Sequence, residues 1–210
     1  MKQILNDKNS RASSCTILLN HIKELEEKAG KILESSIIKS SLLIMLYNNI
    51  EATVYAAFEK IHATANAIEY EDLSIFTKKI CTNYHFNNPK YAFENIEKIL
   101  SKSLSLPLLE EYGKRINLFS GNLDEKKINA IAKVYGIPIT KPSGTKNMLV
   151  VKQKRNKLAH GEESFLASCR GYTSKDLSQI QESCEDFLSR FIINVELYLN
   201  KRMYLKKPAV

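Results

Sequence analysis

Apolar residues recur at intervals of three and four along most of this chain, and no stretch shows the sustained alternation that marks a strand. From Cys15 to Leu33 the stripe is Ile17, Leu18, Ile22, Leu25, Ala29, Ile32 and Leu33. From Ile37 to about Asn66 it is Ile38, Leu42, Met45, Leu46, Ile50, Val54, Phe58, Ile61 and Ala65, a face apolar enough to predict a central helix. Leu73, Phe76, Ile80 and Tyr84 predict a short helix, which Asn87, Asn88 and Pro89 end. Tyr91 to Leu100 suggests another helix, and Pro107 makes Leu104 to Phe119 ambiguous. Asp124 is placed to cap a helix running through Tyr135, with Gly136 just past its end. Pro138 to Gly144 reads as a loop, after which a helix runs from about Lys146 and stops at Gly161. Thr173 and Asp176 have capping-box spacing. They open a last long helix that buries Leu177, Ile180, Cys184, Phe187, Leu188, Phe191, Val195 and Tyr198. The expected class is all-α, a bundle of four or five main helices with shorter ones inserted. Residues 1 to about 12 are polar and expected to fray, leaving 13–210 as a single domain.

Composition agrees with that reading. Apolar residues make up 44% of the 210 positions and charged residues 26%, enough to bury one sizeable core. Seven Gly and five Pro are too few for a β-rich chain with many tight turns. Cys15, Cys81, Cys169 and Cys184 lack CxxC spacing, and the histidines near them complete no zinc pattern. They read as reduced thiols of a cytoplasmic protein, and no metal or cofactor is expected. The N-terminal MKQILNDKNSRASSC has no apolar core of a secretory signal, and polar residues interrupt every apolar run well short of the ~20 that span a bilayer. The net charge of +8 points towards a polyanion, RNA or DNA before a membrane, provided that the charge gathers at a site.

It gathers at Lys152-Gln153-Lys154-Arg155-Asn156-Lys157-Leu158-Ala159-His160-Gly161-Glu162. Lys152, Lys154, Arg155 and Lys157 form a cationic patch beside a histidine, and the three lysines are candidate phosphate contacts. Asn156 and His160 lie four apart and share a helical face. Arg155 lies about 140° around an ideal helix from His160, so the helix alone does not aim both groups at one point. Gly161 suits the position after a helix end, which puts His160 in the last turn. These are parts that RNA cleavage can use. The 2′-OH is an internal nucleophile, a histidine can move its proton, and an arginine can hold the phosphate through the transition state. No metal is needed. The bland alternative is a capping histidine beside a solvated cationic face.

The segment RNKLAHG resembles the R-x4-6-H signature of the HEPN superfamily (higher eukaryote and prokaryote nucleotide-binding domains), including the Asn that often follows its Arg. LIMLYNNIEATVYAAFEKIH, GNLDEKKINAIAKVYGI, ESFLASCRGYTSKDL and VELYLNKRMYL resemble a small stand-alone branch of that superfamily found in microbial defence and toxin loci. The resemblance covers roughly residues 37 to 205. It implies a helical bundle that dimerises to bring two motifs into one cleft, and an endoribonuclease leaving a 2′,3′-cyclic phosphate and a 5′-OH. Carried onto this chain, Arg155 would bind the phosphate, His160 would be the general acid and base, and Asn156 would orient the site. Glu51 matches an acidic position of that branch and would partner Arg155 or His160 across helices; an ordinary polar residue on an outer helix face is the alternative. Glu162 stands where HEPN toxins paired with nucleotidyltransferases carry a tyrosine, which argues against neutralisation by such a partner. The implied partners are RNA, a second copy or a related HEPN chain, and an antitoxin or defence-system protein.

His21, His62 and His85 carry no motif and read as surface or packing residues, and Tyr47, Tyr55 and Phe58 read as core. Two other functions stay open. One is a non-catalytic HEPN module that binds RNA or nucleotides or scaffolds a defence complex. The other is a general DNA-binding helical protein, which would lack a recognisable helix-turn-helix.

Overall fold

Helices carry the regular structure, in keeping with the all-α expectation. A computed structural model describes residues 1–87, 104–119, 122–144 and 146–207. Its helices are α1 (Lys2–Glu26), α2 (Ile32–Ala65), α3 (Ile75–Phe86), α4 (Leu109–Arg115), α5 (Glu125–Tyr135), α6 (Asn147–Ala159), α7 (Phe165–Ser168) and α8 (Ser174–Asn200), with a 3-10 turn at Tyr70–Asp72. Among the described residues, the extended pairing is an isolated bridge between Leu73 and Leu205. The helix expected at Tyr91–Leu100 lies outside the described residues. Contacts divide the chain into two compact units. One joins Met1–Val54, Gly121–Glu125 and Lys141–Arg190; the other joins Tyr55–Ser120, Lys126–Thr140 and Phe191–Val210.

The first unit buries one stripe from each of its main helices. Ala12, Cys15, Leu19, Ile22 and Leu25 come from α1, and Leu42, Leu43, Leu46, Tyr47, Ile50 and Val54 from α2. Met148, Val151 and Leu158 come from α6, and Leu177, Ile180, Cys184, Phe187 and Leu188 from α8. Each fully buried aliphatic side chain of this kind contributes roughly 1.5–3 kcal/mol. Residues 1–12 depart from expectation, because α1 is helical from Lys2. The polar side chains there are partners rather than a solvated tail: Lys8 Nζ donates to Ser189 Oγ at 2.9 Å, and Arg11 Nε donates to Asn49 Oδ1 at 2.9 Å. The apparent stripe from Cys15 to Leu33 also divides. Gly30 adopts φ +77°, a left-handed conformation that few other residues accept, and it separates α1 from α2. Ile32 and Leu33, which seemed to extend the first stripe, are each 67% exposed.

The start of α8 matches the capping box read from sequence. Asp176 N–H donates to Thr173 Oγ1 at 3.2 Å, and Thr173 N–H donates to Asp176 Oδ2 at 2.9 Å.

The second unit is built on aromatic rings. Phe58 meets Tyr135 at 4.7 Å and Phe191 at 6.0 Å between centroids. His62 is fully buried with them; its Nδ1 lies 2.7 Å from the Pro107 carbonyl and its Nε2 2.7 Å from the Tyr135 hydroxyl. A carbonyl only accepts, so Nδ1 carries a proton, and in the neutral ring Tyr135 donates to Nε2. Burial pushes the His62 pKa below its usual value and so favours that neutral ring, while the Pro107 hydrogen bond opposes part of the shift. Pro107, which made its segment ambiguous, precedes the short α4 and presents its carbonyl to His62. The four cysteines are free and buried, and burial raises each thiol; Cys15 is pushed to about 11 and Cys81 to about 12.

Candidate functional site

The site belongs to the first unit and is organised by α6. Met148, Val151 and Leu158 fix the buried face of this helix. Lys152, Arg155 and Asn156 are left half-buried, while His160 is exposed. The helix closes with both hydrogen bonds of a Schellman motif. Glu162 N–H donates to the Lys157 carbonyl at 2.8 Å, and Gly161 N–H donates to the Leu158 carbonyl at 3.3 Å. Gly161 has φ +70°, and a Cβ placed there would meet nothing within 4 Å. Backbone conformation, and not space, is therefore what calls for glycine after His160. His160 is the C-cap residue, at the end of the helix whose dipole favours a cation.

Arg155 is held by three elements. Its guanidinium carbon lies 4.6 Å from the centroid of the Tyr47 ring on α2, a cation–π contact. Its Nη1 donates to Asn156 Oδ1 at 3.1 Å, and Asn156 Nδ2 donates in turn to Asn122 Oδ1 at 2.6 Å. The Tyr47 hydroxyl accepts the Leu123 N–H at 3.2 Å, which pins the ring to the segment leading into α5. Tyr47 has no exposed surface, and burial pushes its phenol up, so the ring stays neutral under the guanidinium. The Leu123 hydrogen bond and the Arg155 charge oppose that rise, while the carboxylates of Glu51 and Asp124 add to it. Glu51 is thus felt at the same ring, one turn further along α2 and half-buried.

The cationic patch is less open than its sequence suggests. Lys152 Nζ pairs with Asp124 Oδ2. Lys154 and Lys157 reach the two oxygens of Glu163 at 2.8 and 2.7 Å. The hydrogen bonds from Lys154 and Lys157 hold the Glu163 carboxyl at about 2, so it stays charged at any physiological pH. Two carboxylates thus balance part of the charge of Lys152, Lys154, Arg155 and Lys157. Of these lysines, Lys157 has the most open side chain, at 48% exposure.

The other histidines stand apart from this arrangement. His21 is exposed near Glu24, whereas His62 and His85 are buried in the second unit. Among the described residues, no group of three His, Cys, Asp or Glu side chains is placed to hold a metal ion, and no helix is long and apolar enough to cross a membrane.

The structure gathers Arg155 and Asn156, carries Glu51 one turn along α2 from Tyr47, and sets His160 at the end of the Arg155 helix. Sequence reasoning missed Tyr47, Asn122, Asp124 and Glu163 as members of the site. Tyr47 reads as core from its spacing, and it is buried; what spacing hides is that its ring face carries Arg155. One usable signal was Tyr47 and Glu51 standing four apart on a helix. Nothing in the sequence pairs Asn122 with Asn156.

Searches of curated proteins and of solved structures return no match. The family model for MAE_28990-like HEPN matches residues 1–204, which include α1 to α8 and the whole RNKLAHG segment. The chain therefore belongs to the MAE_28990-like HEPN family.

Proposed function

We propose that this chain is a metal-independent endoribonuclease in which Arg155 and His160 act on one RNA phosphate. The observation that carries the reading is the fixed guanidinium of Arg155, stacked on Tyr47 and bonded to Asn156, on the helix that ends at an exposed His160. The 2′-OH of the substrate attacks the adjacent phosphorus. The P–O2′ bond forms, the P–O5′ bond breaks, and the products are a 2′,3′-cyclic phosphate and a 5′-OH. His160 takes the 2′-OH proton or delivers one to the leaving O5′. Arg155 holds the non-bridging oxygens as their charge grows. Asn156 orients the guanidinium, and Glu51 balances its charge from α2. Lys152, Lys154 and Lys157 reach RNA by exchanging Asp124 or Glu163 for phosphate, most readily at the open Lys157.

Such cleavage gains from a base and an acid on opposite sides of the phosphate, and one chain supplies one histidine to this site. The active unit is accordingly a dimer, of two copies or of this chain with a related HEPN chain, with the two RNKLAHG segments facing. A cytoplasmic toxin or anti-phage effector, held in check by an antitoxin or defence-system partner, fits this activity. Mixing Arg155→Ala and His160→Ala subunits under exchange tests the shared cleft. Partial recovery of cleavage is expected, and strict monomer behaviour with cleavage independent of concentration would refute it. Cleavage is also expected to persist in EDTA; activity that stops in chelator and returns with Mg²⁺ would refute the mechanism.

One observation favours a second reading, a non-catalytic HEPN module that binds RNA or scaffolds a complex. Three of the four cations in the segment already hold acids of the same chain. Wild-type protein that binds RNA without cutting it would support that reading.

A further inference from the structure

A second basic concavity lies in the first unit, built from residues other than those that hold Arg155. It has a volume of about 280 Å³ and is lined by the end of α1, the first turns of α2 and the turn that leads into α8. Lys28, Lys31, Lys39 and Arg170 line it, against the single carboxylate of Glu26. That carboxylate is already engaged, because Lys39 Nζ meets it at 2.6 Å and the Ser174 N–H donates to it at 3.1 Å. Lys39 Nζ also donates to the Tyr172 carbonyl at 2.8 Å, which holds the Arg170–Thr173 turn onto α2. Lys31 pairs with the exposed Glu34 at 2.7 Å. The first turn of α2 adds backbone N–H donors that precede the helical ladder, beginning after Gly30.

A helix start and surface cations do not by themselves make a site. The second observation is Ser35. It lines this concavity, is 4% exposed, and its Oγ is buried with no hydrogen-bond partner. A buried hydroxyl without a partner is unfavourable, so a ligand oxygen at that position would relieve it. The surplus of positive charge selects an anion with more than one negative charge.

We infer that this concavity binds a phosphate group, with Ser35 Oγ, the first turn of α2, Lys28 and Arg170 as its contacts. The site is independent of the Arg155–His160 centre and stands whether or not that centre cleaves RNA. The phosphate comes either from a small nucleotide or from the backbone of bound RNA.

The test uses the full chain and thermal unfolding with inorganic phosphate, 5′-AMP or a non-cleavable 2′-O-methyl oligoribonucleotide, each against chloride at matched ionic strength. Phosphate is expected to raise Tm saturably. Lys28→Ala and Arg170→Ala, at exposed positions, should weaken the effect at least about tenfold each, and equally so in an Arg155→Ala background, where the other centre no longer holds phosphate. Ser35→Ala should leave the free protein as stable as wild type or more so, yet lose the phosphate response. Tighter binding of 5′-AMP than of phosphate assigns the site to a nucleotide; competition by the oligonucleotide through Arg170 assigns it to RNA. A response no larger than that of chloride, one abolished by Arg155→Ala but not by Arg170→Ala, or a loss of stability in free Ser35→Ala overturns the inference.

Discussion

His160 and His62 are the same side chain in opposite circumstances. His160 caps α6 in the open, beyond the buried turn of Leu158, with a cationic helix behind it. His62 lies within the second unit, has no exposed surface, and spends both ring nitrogens on Pro107 and Tyr135. A general acid or base must reach a substrate proton and change charge during the reaction, and only an accessible imidazole can do both. A sealed imidazole does structural work, because its partners would be stranded if it left. Chemistry and stability should therefore separate cleanly between these two residues.

The largest expected effect is on cleavage. His160→Ala should lower kcat by about 100- to 10,000-fold, the usual range for a lost general acid or base, and leave the urea midpoint unchanged. His62→Ala should do the reverse. Loss of both hydrogen bonds and the cavity left behind should cost about 2–4 kcal/mol in equilibrium unfolding, with RNA cleavage per folded molecule unaltered. If His62→Ala abolished cleavage in fully folded protein, the contrast would fail.

Tyr47 stands between the two, buried like His62 yet in contact with Arg155. Tyr47→Leu removes the face beneath Arg155 and should lower cleavage by about 3- to 30-fold, the scale of a partly desolvated cation–π contact. Tyr47→Phe keeps that face and loses only the hydroxyl that accepts from Leu123, so it should recover most of the activity. Equal losses in the two variants would mean that the hydroxyl, and not the ring, positions Arg155.

The smallest effect is on acid stability. Burial lowers the folded-state pKa of His62 below the 6.5 of a free histidine, so between those values the unfolded chain binds a proton that the folded chain does not. The contribution of His62 is fully present above about pH 6.5 and is lost as pH falls towards the lowered folded value. Urea midpoints measured from pH 8 to pH 5 should fall on the acid side of 6.5, and His62→Gln should flatten that limb. A limb unchanged by the substitution would place its origin elsewhere.

Most of the fold was legible because helical periodicity and capping are local. The stripe of α2, the Thr173–Asp176 box and the glycine stop at Gly161 all lie within a few residues of what they control. The failures were long-range. The polar start of α1 reads as a frayed end until Asn49, Thr53 and Ser189 are seen to receive its side chains. The break at Gly30 was hidden because Ile32 and Leu33 continued the spacing while facing solvent. At the site, the motif itself was visible, but its electrostatics were not. Lys152 and Asp124 lie far apart in the chain, and Glu163 reaches Lys154 and Lys157 only after the chain turns at Gly161. A cluster of like charges in sequence says little about net field until the acids across the fold are placed.

The central question is whether the RNKLAHG segment cleaves RNA through the 2′-OH of the substrate. The direct measurement is the chemistry of the RNA ends made by purified wild-type and His160→Ala protein in the presence of EDTA. The wild type should leave 2′,3′-cyclic phosphate and 5′-OH ends, and His160→Ala none above background. Ends bearing 3′-OH and 5′-phosphate, or cyclic-phosphate ends formed equally by His160→Ala, would contradict this mechanism.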